Sequence, residues 1–120
     1  SSTRLSISMK NFMGIVWDRG YMHRNDLNQC IADSILYRKP DLTIVDAYYV
    51  MKQNGPRGVS VDDVVTMKSQ IISRDIVAAD SAAAKLFGMQ PDDIGHITIA
   101  DSMGIGKKDL SSLKINRIIL

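Results

Sequence analysis

The chain has 120 residues, 45% of them hydrophobic and 23% charged, with a net charge of +2. That composition describes one soluble globular domain, long enough to bury a core without disulfides or metals. The mildly basic balance is interleaved with acids, which excludes a nucleic-acid arm and a polybasic membrane patch, and no segment reaches the length of a membrane span.

Cys30 is the one cysteine. A lone thiol excludes an internal disulfide and a thiolate-only zinc or iron–sulfur site within this chain. The start, "SSTRLSISMK", has neither an initiator Met nor the apolar core of a signal peptide. The chain therefore reads as a piece of a longer protein, cytoplasmic by default.

In chain order, residues 8–26, "SMKNFMGIVWDRGYMHRND", form an irregular lead-in. Lys10, Asn11, Arg19, His23 and Arg24 crowd it, and Phe12, Met13, Ile15, Val16 and Trp17 supply an apolar wall. The first clear element is a helix over 25–39, with Leu27, Cys30, Ile31, Ser34 and Ile35 on one stripe. Asn25 serves as its N-cap, Asp26 suits its first turn, and Pro40 stops it. "LTIV", residues 42–45, is a short β-branched run expected to be a strand buried on both faces.

After the loop "NGPRG" comes "VVTMKSQII", a strand with Val65, Met67 and Ile71 on one face and Thr66, Lys68 and Gln70 on the other. "DIVAADSAAAKLFG" is a helix capped by Asp75 and closed by Gly88 in the left-handed region. Its alanines allow a neighbouring element to come close. Pro91 begins a third helix running to Gly104, although "HITIA" alternates enough to leave a strand open, and "LKINRIIL" reads as a last strand. The order is helix, strand, strand, helix, helix, strand. The fold class is α/β, with helices packed on a mixed β-sheet.

Three stretches could carry chemistry. The first is the loop after the first strand. Ligands in open α/β sheets sit beyond the carboxyl ends of strands, where Asp46 lies. Asn54 and Gly55 form a turn dipeptide, and Arg57 with Lys52 could hold an anion. The plainer reading is a surface turn with solvated cations. The second is Asp80. At about 100° per residue it falls inside the apolar arc of its helix, so it must be paired, hydrogen-bonded or protonated. The plainer reading is a structural acceptor for backbone N–H groups, the alternative a carboxylate on a cleft floor. The third is the lead-in with Lys10 and Asn11, which could line a pocket.

Other motifs fail. "MGIGKKD" lacks the spacing of a phosphate loop, His23 and His96 have no zinc spacing, and no serine sits in a nucleophile elbow. His96 reads as exposed.

Taken together, "MKNFMGIV", "KPDLTIVDA…M…NGPRG", "SRDIVAADSAAAKLFGM", "PDDIGHITIADSMGIG" and "LKINRI" resemble, in that order, the domain of unknown function 362 family. The resemblance implies an uncharacterised prokaryotic protein of which this chain is the C-terminal half. Some members carry a ferredoxin-like 4Fe-4S module, whose cluster ligands lie in an added cysteine-rich segment. The implied cofactor is thus none in this chain, with a cluster only in such a module. Asp46, Asn54 and Asp80 fall on motif residues of the family. Members often show Gly-Gly where this chain has Gly58-Val59.

Two functions stay open. One is a ligand-binding or redox-linked enzyme domain, taking a small anionic ligand at Lys10, Asn11, Asp46, Asn54, Gly55, Arg57 and Asp80. The other is a scaffold or assembly domain that pairs with itself or with a ferredoxin-like module. Convergence of Lys10, Asp46, Asn54 and Asp80 on one concave site would favour the first.

Overall fold

The computed structural model describes residues 4–52 and 60–119. Its elements are helices α1 (Ser8–Asn11), α2 (Arg19–Arg24) and α3 (Leu27–Tyr37), strands β1 (Thr43–Met51) and β2 (Val64–Ser73), and helices α4 (Ile76–Leu86) and α5 (Gly95–Ser102). Short 3-10 turns lie at Phe12–Ile15, Val61–Asp63, Pro91–Asp93 and Leu110–Ser112. The α/β class holds.

The strands form a two-stranded antiparallel sheet. Its inner face pairs Val45 with Ile71, Ala47 with Ser69, and Val50 with Val65. Ala79 and Ala83 of α4 pack on Val45 and Ile71. With methyl side chains there, the helix axis can sit close to the sheet, as the alanine-rich sequence implies. The other side of α4 meets the main core, where Ile76, Val77 and Ala84 join Met9, Met13, Met22, Leu27, Ile31, Ile35, Ile94 and Ile97. Eight of the eleven residues of α4 are buried because it is covered on both sides.

The caps explain where α4 begins and ends. Asp75 accepts from the amides of Val77 and Ala78 at 2.9 and 3.0 Å. Gly88 takes φ of +74°, as expected of the residue that turns the chain after a helix. At α3 the cap moves by one residue. Asp26, not Asn25, accepts from Gln29 N, while Asn25 Nδ2 donates to Tyr21 O and closes α2.

Four expectations change. β1 is nine residues long and buried on one face only, with Ile44 58% exposed. A β-branched run suits either environment, and among the described residues α4, with Ile7 beside it, packs on one face of the sheet. The helix expected from Pro91 to Gly104 divides at Ile94, whose extended backbone separates a 3-10 turn from α5. "LKINRIIL" is not a strand: residues 114–119 carry no regular structure and are exposed. The lead-in is not irregular but made of α1, a 3-10 turn and α2, and its methionines rather than Trp17 enter the core; Trp17 is fully exposed.

A carboxylate, an imidazole and two amides at the helix junction

Asp80 lies on the side of α4 that faces α1 and α5. Both Asp80 and His96 have 0% exposure. One carboxylate oxygen accepts from Ser8 N and the other from Met9 N, each at 3.0 Å. These are the first amides of α1, which have no partner within so short a helix. The carboxylate thus replaces the helix's missing acceptors and fastens α1 to α4. Burial raises the Asp80 pKa to about 6, against the lowering effect of hydrogen bonds from Met9 and Ser8.

His96, on α5, brings its Nε2 to 3.9 Å from Asp80 Oδ2. Its Nδ1 lies 3.4 Å from Asn28 Oδ1 on α3. An Nδ1–H donating to that amide oxygen leaves a lone pair on Nε2, which has no hydrogen-bond partner within the described residues. Burial, and then the positive charge of Lys10, lower the His96 pKa to about 4. At neutral pH the imidazole is therefore uncharged, and the contact with Asp80 is not an ion pair despite its distance.

His96 was expected to be exposed, and this is a correction. A helix counted continuously from Pro91 points residue 96 outward. Starting the helix at Gly95 puts His96, Ile97 and Ala100 on one inward face. Gly95 is the local signal for that arrangement, because a Cβ there would stand 2.8 Å from the Asn28 side chain.

The other candidates do not all gather here. Lys10 comes close enough to act on His96 by charge, and its Nζ donates to Ser6 Oγ at 3.0 Å. Asn11 is exposed at the end of α1. Asp46 is exposed on the outer face of β1, away from α4, where it accepts from Tyr48 N at 2.9 Å. Asn54, Gly55 and Arg57 lie outside the described residues. A groove of about 450 Å³ is lined by Arg4, Gly88, Met89, Gln90, Asp93 and Ile94, so none of the described candidates borders it. The junction's carboxylate and imidazole are both buried, and their hydrogen-bond partners among the described residues lie on α1 and α3.

Among the described residues no group of three or more His, Cys, Asp or Glu is placed to hold a metal ion. Cys30 is half-buried on α3, and burial, then Asp33 and Asp26, raise its pKa and keep it a thiol. One such cysteine does not fit a cluster that takes several thiolates. No helix of the described residues is long and apolar enough to cross a membrane.

"MGIGKKD" has a structural use. Gly104 takes φ of +74° after α5, and Gly106 passes so close to Asp75 and Val77 that a Cβ there would collide with both. Lys107 N then donates to Asp75 Oδ2, Lys108 N to Asp101 Oδ1, and Ser81 Oγ to Lys108 O. The segment clamps the end of α5 to the start of α4.

No curated protein and no solved structure matches the chain. The model of one family matches residues 1–85, a stretch that runs from α1 through both strands to most of α4 and includes Asp80. By that match the chain belongs to the family described as a domain of unknown function (DUF362).

Proposed function

We propose that the chain is an assembly domain without chemistry of its own, and that its partner is a second copy of itself. One observation carries this reading: among the described residues, the outer face of the sheet presents exposed apolar side chains between its polar ones. Ile44 pairs with Ile72 there, and the two are 58% and 62% exposed. Leu42, Tyr48 and Tyr49 extend the exposed apolar surface. An antiparallel sheet facing water on one side is normally polar on that side. The same face carries one acid, Asp46, and one base, Lys68, both exposed. A two-fold contact would set each Asp46 against the other copy's Lys68 while the isoleucines meet.

Sedimentation velocity across a concentration series tests the proposal. The expected result is a monomer–dimer equilibrium that Ile44→Asp weakens by about tenfold or more, which corresponds to about 1.4 kcal/mol. A chain that stays monomeric throughout, or a variant that associates like the parent, overturns it.

A second reading, a ligand-binding or redox-linked enzyme domain, draws on Lys10 standing near the buried Asp80 and His96. In that reading Asn54, Gly55 and Arg57 hold a small anion, with Lys10, Asn11 and Asp46 around it, and a ferredoxin-like module brings a 4Fe-4S cluster. An amide NMR titration with phosphate and small carboxylates separates the two. Saturable shifts at Lys10, Gly55, Arg57 and Asp80 together would replace assembly with binding. For either reading the cytoplasm is the compartment that suits a lone reduced thiol.

A further inference from the structure

This inference is independent of the self-association reading and concerns the junction of α1, α4 and α5. Two acceptors face each other there. Asp80 Oδ2 and His96 Nε2 stand 3.9 Å apart, and both side chains have 0% exposure. With Nδ1–H directed at Asn28 Oδ1, Nε2 presents a lone pair, and it has no hydrogen-bond partner among the described residues. A buried acceptor without a donor is costly, and a carboxylate opposite it adds repulsion. One proton between the two atoms removes both costs.

The carboxylate oxygens differ in what they hold. Oδ1 accepts from Ser8 N and Oδ2 from Met9 N, each at 3.0 Å. Oδ2 is the oxygen that stands toward Nε2. As a hydroxyl, Oδ2 donates to Nε2 and becomes a poorer acceptor for Met9 N, while Oδ1 keeps Ser8 N. Shortening the gap to an ordinary hydrogen bond of about 2.8 Å takes about 1 Å of movement toward α5.

The surroundings put the proton on Asp80. α1 brings Lys10, whose positive charge disfavours an imidazolium at His96. α3 brings Asn28, which is uncharged. On the sheet side α4 meets apolar groups, with Ala79 and Ala83 against Val45, Ile7 and Ile71. α5 brings His96, while its Asp101 accepts from Lys108 N. The segment after α5 reaches α4 through backbone groups of Lys107 and Lys108, at Asp75 and Ser81.

We propose that the junction is a proton-operated switch: on taking up a proton from solvent, Asp80 releases Met9 N of α1 and donates through Oδ2 to His96 Nε2 of α5. Asp80 becomes a neutral acid and His96 stays a neutral imidazole. α1 is then held by one carboxyl bond instead of two. It carries Lys10 and Asn11, and Ile7 at its start packs against the sheet, so the change reaches both.

Amide and imidazole nitrogen NMR of the intact chain tests this from about pH 8 to about pH 5, a range that brackets the Asp80 pKa of about 6. The expected result is that the Met9 amide titrates with that midpoint and loses about tenfold in exchange protection, corrected for the intrinsic rate, while the Ser8 amide holds. The His96 Nε2 signal changes as an acceptor gaining a hydrogen bond and carries no proton of its own. Asp80→Asn places a permanent donor toward Nε2 and should keep the Met9 amide in its low-pH position at every pH. Four results overturn the proposal. Ser8 and Met9 amides that titrate alike show no change of side. Amides that do not titrate show no proton uptake. A protonated Nε2 shows an ion pair in place of the switch. A Met9 amide that still titrates in Asp80→Asn reports another group. If that variant does not fold, the titration of the parent chain decides by the first three.

Discussion

At the residue scale, Asp80 and His96 make opposite demands on protons. The Asp80 pKa rises from 3.8 to about 6 on folding, so the folded state holds this proton more tightly than the unfolded state does. Its contribution to stability is full below about pH 4 and is lost as pH rises to about 6. The His96 pKa falls from 6.5 to about 4, so the folded state sheds a proton that the unfolded state keeps. Its contribution is lost as pH falls from about 6.5 to 4. Each shift of about two units amounts to about 3 kcal/mol. Between about pH 4 and 6 both states hold one proton on this pair, on Asp80 when folded and on His96 when unfolded, and the two slopes cancel. Asp80→Asn should therefore lose about 3 kcal/mol as pH falls from 6.5 to 4, and His96→Gln about as much as pH rises from 4 to 6, each relative to the parent chain. Urea unfolding over a pH series measures both; variants whose pH profiles parallel the parent's would contradict this account. Gly106 offers a second test. A Cβ there meets Asp75 and Val77, so Gly106→Ala should cost about 1–3 kcal/mol. Gly14→Ala, with nothing within 4 Å of its Cβ, is the matched control and should change stability little.

At the element scale, the sheet contains one irregularity with a cost. Ala47 pairs with Ser69 and Tyr49 with Thr66, so β2 spends one more residue than β1 between these pairs. Lys68 absorbs the extra residue at φ of +50°. A β-bulge of this kind favours glycine in the left-handed position, and a side chain there costs about 1–2 kcal/mol. Lys68→Gly should raise stability by up to about 1 kcal/mol once the greater freedom of glycine in the unfolded chain is counted. Gln70→Gly, at a regular exposed position of the same strand, should lower it. Thermal unfolding of the two variants side by side decides the matter, and a loss in both would remove the strain at Lys68 from the account. The bulge also shows why strand patterning was readable in sequence while its detail was not. The alternation of Val65, Met67 and Ile71 against Thr66, Lys68 and Gln70 survives, but an extra residue in one strand is defined only by its partner.

At the scale of the whole molecule, α4 is the joint between a helical core and a thin sheet. Its capping Asp75 and terminal Gly88 follow from local hydrogen-bonding rules and were legible in the sequence, as was the inward position of Asp80. The cluster around the buried Asp80 was not, because Ser8, Met9, Asn28 and His96 come from three other helices. If the outer face of the sheet is an interface, Asp46–Lys68 pairing should make self-association weaken as salt rises, a modest effect since both residues sit at the surface. A dimerisation constant independent of ionic strength would remove Asp46 and Lys68 from the contact while leaving the isoleucines.

The sequence by itself determined what depends on near neighbours: the stripe of α3, the alternation of β2, the caps of α4 and the burial of a carboxylate among alanines. Each follows from the period of a helix or strand and from side chains within four residues. Only the tertiary structure decided which face of β1 would be covered, where the helix after Pro91 would break, and whether "LKINRIIL" would find a strand to join. Those outcomes depend on the number of layers around each segment, a quantity no local pattern contains. Ile44, read from the sequence as part of a strand buried on both faces, is exposed here because α4 packs on the other face of the two strands.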